Sequence, residues 1–528
     1  MAEQSLIAEI PLGSLGLFGS RNPSTIPLGG LIRADNVSFE GGTVRKEGGA
    51  LAFTPSALSG APQILGGHYF NHNGSTARQV ILTSGGNLLK DTGDGSFSVT
   101  LKASLTVTNV LPVFVEAGKE SAAQNRKLFV FTGVNAVQVL SADGATTSDL
   151  ATPPADWSGS NQPSFGLVAI DRLWAGGNLN DPHRLYFSRF DNHETFTGAD
   201  TGSISIFPGE GEKLIGGIAM TGGMLLFKYP KGIYFVDASS VFISEWSIRR
   251  ISGVFGCVGL RAYAQVRDDV YFIDVSGQIR SLAATDTFSD LGTESVSDLN
   301  FISDFLTDNV DKEDLPRACM TYYATKREVQ IGMERLGGPG YNNARLVIDE
   351  SLFPLRRFRF STRDSPVSLW PRMVNNVQKL MMGENQGLIY TLDDAAASKS
   401  GAGYAGVLQT AHSDFAVLDA LHATRRKEGR FLELVVEPKG TWNVTIEVYW
   451  DGVLTQTILM NLGGGGAVLG SFTLGTDKLG GSTVLNRRAR LVGGGRRLSL
   501  LFRNDGNGQD FSIARVFLHY VIGNTALL

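Results

Sequence analysis

Two histidines four residues apart, His68 and His72, offer the most obvious metal-ligand spacing in the chain. On a helix they would share a face. Tyr69, Phe70 and the following Asn73-Gly74 read instead as a strand running into a turn, and on a strand the two rings stand ~13 Å apart, too far to chelate one ion. The stretch Asp505-Gly506-Asn507-Gly508-Gln509-Asp510 alternates oxygen donors and glycines in the manner of a calcium loop. It lacks the distal bidentate glutamate such a loop needs, and Asp-Gly and Asn-Gly are favoured hairpin dipeptides. Ser141-Ala142-Asp143-Gly144 begins like the box of sialidase blades, but no Trp follows and it does not recur. A GxSxG elbow, an HExxH helix, a phosphate loop and a GxGxxG after a strand are all absent from the sequence. No catalytic, metal or cofactor-binding residue is assigned, and neither an enzymatic activity nor a cofactor is expected.

Basic side chains cluster at Arg356, Arg357 and Arg359, at Arg425, Arg426 and Lys427, at Arg487, Arg488 and Arg490, and at Arg496 and Arg497. Solvated strand ends and subunit contacts explain them most simply. Arg425, Arg426, Arg487 and Arg488 are the candidates for contact with an acidic neighbouring subunit. Residues 405–528 carry 13 basic and 10 acidic groups, whereas the whole chain has 47 against 51. A dedicated nucleic-acid binder would be basic, so tight DNA binding is not expected.

The elements that position these groups are short strands. Glycine makes up 64 of 528 residues, without a three-residue period, and falls between short apolar runs, the signature of dense turns. Pairs of such runs hinge on a glycine in 77–91, 127–143, 222–237, 268–282 and 379–393, each with the form of a β-hairpin. Looser copies at 171–191 and 327–349 fill the gaps. The turn glycines Gly86, Gly133, Gly177, Gly232, Gly277, Gly337 and Gly387 recur every 44 to 60 residues, the spacing of β-propeller blades. Helices are scarce, with short candidates at 297–306 and 415–423.

After the small-residue stretch AAASKSGAGYAG the pattern changes, and strand-like runs at 429–438, 442–452, 454–463, 470–475, 496–506 and 511–523 argue for a sandwich. The expected architecture is all-β: a six- or seven-bladed propeller over 41–397, preceded by an arm and first strand in 1–40 and followed by a β-sandwich-like domain in 398–528. The N-terminal strand is a candidate to complete the last blade. Cys257 and Cys319 are too few for a disulfide framework. No signal-peptide pattern and no run of ~18 apolar residues is present, so maturation in a reducing cytoplasm without membrane insertion is expected.

Three stretches carry a resemblance. The first is Ile26-Pro27-Leu28-Gly29-Gly30, leading through Ala34-Asp35-Asn36-Val37-Ser38-Phe39 to Gly42-Thr43-Val44-Arg45-Lys46-Glu47-Gly48-Gly49. The others are residues 183–235, with a Tyr-Phe-Ser strand, an IxIxPGxG strand and a Lys-x-x-x-Ile-Tyr hairpin, and residues 253–280, with Gly-Cys-Val and Val-Tyr-Phe. Together they resemble the β-propeller tail proteins of short-tailed bacteriophages, called tail tubular, nozzle or hub proteins. The resemblance implies a hexameric ring in the virion tail, assembled in the host bacterial cytoplasm. It also implies attachment below a portal or adaptor ring, contact with tail fibres or spikes, and a lumen through which double-stranded DNA passes during ejection. A carbohydrate-active propeller enzyme and a protein-binding propeller scaffold are the alternatives.

Overall fold

The computed structural model describes residues 5–19, 22–71, 77–118, 126–209, 211–282, 294–463 and 484–526. His72 and the expected strand at 470–475 lie outside the described residues. Six four-stranded antiparallel sheets stand around one axis, and the four strands Cys319–Tyr323, Glu328–Met333, Ala344–Asp349 and Arg357–Ser361 occupy a further place in the ring. In chain order the units span 64–102, 113–149, 165–205, 213–252, 263–295, 319–361 and 368–394. All seven turn glycines recognised in the sequence sit between the second and third strands of a unit, each with positive φ. A side chain there would meet its own backbone, so the recurrence of glycine is the recurrence of one turn.

The first strand of each unit lies nearest the axis, where neighbouring blades converge and room is scarce. Glycine supplies that room. A Cβ on Gly67 would lie 2.6 Å from the Trp370 ring of the seventh unit, one on Gly166 would lie 2.4 Å from Phe131, and one on Gly216 would meet Tyr263. Buried or half-buried rings of the adjoining blade fill each gap, so these strands carry glycine where a β-branched residue would otherwise be favoured. The seventh unit has three strands of its own, and its fourth is Gly49–Ala52 from the beginning of the chain. That strand closes the ring.

The division of the chain is not the one that composition indicated. Leu6–Ile10, Val37–Glu40 and Thr43–Lys46 belong to one sheet with Arg425–Val436, Leu485–Arg490 and Ser512–Ala526. Leu6 pairs with Tyr520 and Ile10 with Val516. Gly30–Asp35 joins Gly406–Thr410, Leu498–Asn504, Asn443–Trp450 and Val453–Asn461 in a second sheet. Both termini therefore build the sandwich-like module, whose inner faces meet in a core including Ala34, Leu408, Leu432, Ile446, Phe502 and Leu518. The second sheet continues through Gly30–Asp35 into Arg357–Ser361, making ten strands in all. The small-residue stretch near Ser398 is pinned, not a free tether: Ala50 N donates to Ser398 O at 3.0 Å, and Ser400 N to Ala50 O at 2.8 Å.

Of the helix candidates, the first overlaps Ile302–Asn309, and the second contains only the short 3₁₀ turn Ala420–Ala423. Among the described residues no helix is long and apolar enough to cross a membrane.

Candidate functional site: a buried ionic joint, a basic outer face and an axial cavity

Where propeller, closing strand and sandwich meet, charge is buried. Arg357, Arg359 and Ser361 alternate with Phe358 and Phe360 along one strand, and both faces of that strand are covered. The expectation of solvated strand ends fails here for Arg357 and Arg359, which are buried. Arg345 Nη2 lies 2.6 Å from Asp364 Oδ2 and 3.1 Å from Glu47 Oε1, and Arg359 lies 3.2 Å from Glu47 and 2.7 Å from Glu328. Arg363 adds contacts to Asp364 and Glu47. Three guanidinium groups thus face three carboxylates in a space without bulk water. Burial alone would raise the Glu47 carboxyl, but Arg345, Arg363 and Arg359 outweigh it and hold the group well below the usual carboxylate range. Asp364 is lowered by the same competition, burial being overcome by Arg363 and Arg345.

Asn36 completes the joint from a left-handed backbone position, φ 52°. Its Nδ2 donates to Ala405 O at 2.8 Å, and its Oδ1 accepts from Ser361 Oγ and Thr362 N, each at 3.0 Å. Asparagine tolerates that backbone better than most residues. The Asn-Val and Arg-Lys-Glu-Gly segments singled out in the sequence are therefore the parts that weld the two modules.

Lys46 explains the calcium-like loop. Its Nζ donates to Gly506 O at 3.1 Å and Gln509 O at 3.0 Å, with Asn504 Oδ1 at 3.4 Å. An ammonium thus takes the oxygens that a bound cation would need. Lys427 does the same elsewhere, donating to His422 O, Arg425 O and Arg496 O at 2.6, 3.2 and 2.7 Å. Burial pulls both lysines down to about 8. A lysine that favours its neutral form when folded adds stability as pH rises from 8 towards its ordinary value, and that contribution is lost as pH falls through 8. Urea midpoints of the native chain should therefore rise from about pH 7.5 to 9.5 relative to a Lys46→Met, Lys427→Met variant. Parallel pH slopes for the two proteins would contradict this.

The four arginines proposed as subunit contacts do not share one face. Arg426 and Arg488 are exposed on the outer face of the module, and Arg425 and Arg487 are half-buried. Arg487 turns inward, where Nε donates to Asn461 O at 3.0 Å and Nη2 to Gly463 O. It ties the edge of one sheet to the edge of the other. Arg488 stacks 3.9 Å from the Phe431 ring centre and sits opposite Glu433. His68 is used within the propeller: its Nε2 lies 2.7 Å from Glu116 Oε1 of the next blade. Among the described residues no group of three His, Cys, Asp or Glu is placed to hold a metal ion.

At one end of the axis, loops leading into the innermost strands surround a cavity of about 610 Å³. Arg261 reaches across it from the fifth blade, donating from Nη1 to Leu65 O at 2.5 Å and from Nη2 to Val367 O at 3.3 Å. Among the described residues its Nε has no partner. Asn342, 3% exposed, donates from Nδ2 to Arg317 O at 3.0 Å, and its Oδ1 accepts from none of the described residues. A second cavity of about 510 Å³ lies by Arg267, Tyr271, Glu350 and Arg356. There the groups satisfy one another: Arg267 Nη2 bonds to Glu350 and Arg356 Nε to the Tyr271 hydroxyl, both at 2.6 Å. Sequence reasoning missed both the joint and the axial cavity, because each is assembled from residues on distant strands.

Fold and site together define a β-propeller scaffold fused to a sandwich-like module. No protein-family model matches the chain, and no curated protein matches it. Among solved structures, YCF48 from Cyanidioschyzon merolae is 9% identical with a TM-score of 0.38, over 65% of this chain and 98% of that one. YCF48 bound to D1 peptide is also 9% identical, with a TM-score of 0.39 over 66% and 95%.

Proposed function

We propose that the chain is a structural ring subunit of a short-tailed bacteriophage tail, a nozzle or hub beneath the portal or adaptor ring. In this reading the DNA conduit is the lumen of the assembled ring, not the propeller axis, which Arg261 crosses. The observation that carries the reading is the continuous ten-stranded sheet joining propeller to sandwich, locked by buried ions. Such a junction makes one stiff block, suited to transmitting position between neighbours. An acidic total charge also suits a conduit along which a duplex, with one charge per ~1.7 Å, must slide without sticking.

A ring interface is heterologous and needs two different complementary patches on each subunit. Arg426 and Arg488 supply exposed cations on the module that is net basic. The double reversal Arg426→Glu, Arg488→Glu should lower the melting temperature by only ~1–3 °C, through loss of the Phe431 stacking and a like charge opposite Glu433, while abolishing rings in negative-stain images. Rings in normal yield from this variant would remove these residues from the interface. Val241 and Phe242, 80% and 63% exposed on a loop of the fourth blade, favour docking of a further protein there. In the tail reading that partner is a fibre or spike, and in the scaffold reading it is a soluble protein.

A further inference from the structure

We propose that the outer face of the sheet built from Leu6–Ile10, Arg425–Val436, Leu485–Arg490 and Ser512–Ala526 docks on a second copy of this chain, over the cavity of about 510 Å³ between its fifth and sixth units. The contact presupposes the ring assembly proposed above and supplies its second patch. Strand pairing lays the first patch out in rows: Arg490, Phe431, His519 and Ile7 stand side by side, and Arg488, Glu433, Phe517 and Glu9 form the next row. Among the described residues nothing buries this face, and Ile7 is 62% exposed. Large apolar side chains grouped in water on a charged sheet mark an interaction surface. The carboxylates of the face are answered locally, Glu433 by His519 at 3.2 Å, Glu9 by Arg515 at 3.8 Å and Glu428 by Arg430 at 3.9 Å. Arg426, Arg488 and Arg490 remain exposed, with no carboxylate in contact among the described residues.

The second patch has the opposite character. Leu299 and Phe353 form exposed apolar lips of the cavity, with Leu352 and Phe301 exposed beside them in the chain. The two cations of the lining, Arg267 and Arg356, are both engaged with Glu350, at 2.6 and 3.4 Å. Asp268 on the rim, and Asp298 and Asp304 on the segment that carries Leu299, are exposed and touch no lysine or arginine among the described residues. Each patch thus offers apolar side chains beside uncompensated charge, and the two signs are opposite. That complementarity is what a heterologous contact between identical subunits needs. The carboxylates set among the arginines of the first patch repel a phosphate backbone, which disfavours nucleic acid as its occupant.

Light scattering and negative-stain imaging of the full-length protein over a concentration series read the contact. The native chain should form rings. Asp268→Arg, Asp304→Arg should raise the concentration needed for assembly by about tenfold or more, and so should Arg488→Glu, Arg490→Glu, because like charges then face each other. Joining all four substitutions in one chain sets opposite signs together again and should restore the rings, a recovery that damage to the fold cannot mimic. Phe353→Ser leaves every charge in place and should weaken assembly through the apolar part alone. Rings at native concentrations from a folded Asp268→Arg, Asp304→Arg or Phe353→Ser protein, or no recovery in a folded fourfold variant, would overturn this contact and leave the ring assembly standing. A native chain that never exceeds the mass of one chain would overturn both.

Discussion

Glu47→Ala lowers the unfolding free energy by about 3–5 kcal/mol, the expected consequence of removing one partner from a buried ionic cluster. Arg345, Arg359 and Arg363 would then confront only Glu328 and Asp364, with one guanidinium charge left uncompensated away from water. Glu47→Gln keeps shape and part of the hydrogen bonding, so it costs less but also lacks the charge. The native chain carries a matching acid sensitivity. Glu47 and Asp364 both have folded values below their ordinary ones, so their contribution is fully present above the ordinary carboxyl range and drains away as pH falls below it. Urea titrations of native and Glu47→Gln protein at neutral and acid pH would show a steep loss for the first and a shallower loss for the second. Equal slopes would mean that the cluster does not hold the joint.

Gly49→Ala is the second large effect. A Cβ at this position would lie 1.9 Å from Ala396 O and 2.4 Å from Ser398 O. Both obstacles are backbone, and neither yields by changing rotamer. The cost therefore reaches or exceeds the ~3 kcal/mol upper range of ordinary overpacking, and it falls on the strand that closes the ring. Gly85→Ala is the control: a Cβ there would lie no closer than 3.6 Å to any neighbour. Limited proteolysis should cut the Gly49→Ala protein near the seventh unit at rates the Gly85→Ala protein does not show. Matched proteolysis and matched melting would remove Gly49–Ala52 from its place as the closure.

What the sequence disclosed follows from the range of the interactions involved. The turn glycines were legible because positive φ is a local demand, satisfied by one residue and repeated in every unit. Ile302–Asn309 was legible for a similar reason, its apolar spacing being contained within two turns. The pairing of Leu6 with Tyr520 spans almost the whole chain and leaves no local trace, so the N-terminal residues could not be assigned to the far module. Arg357 and Arg359 misled because a period-2 row of charges reads as a solvated face. Here the partner carboxylates, Glu47, Asp349 and Glu328, arrive from three other segments. Arg487 and Arg488 looked like one patch, yet adjacent strand residues point to opposite sides, and only Arg488 faces outward.

The axial cavity was hidden for the same reason. Arg261 and Asn342 belong to different blades, and neither lies in a recognisable motif. Fold class was thus the easier inference, since repetition states it many times, whereas each site is stated once.

Light scattering on the purified full-length chain tests the assembly role most directly. The account predicts a particle of about six subunits, each of 56.7 kDa, that falls to the single-chain mass in the Arg426→Glu, Arg488→Glu variant. A native protein that stays at the mass of one chain at every concentration would contradict it.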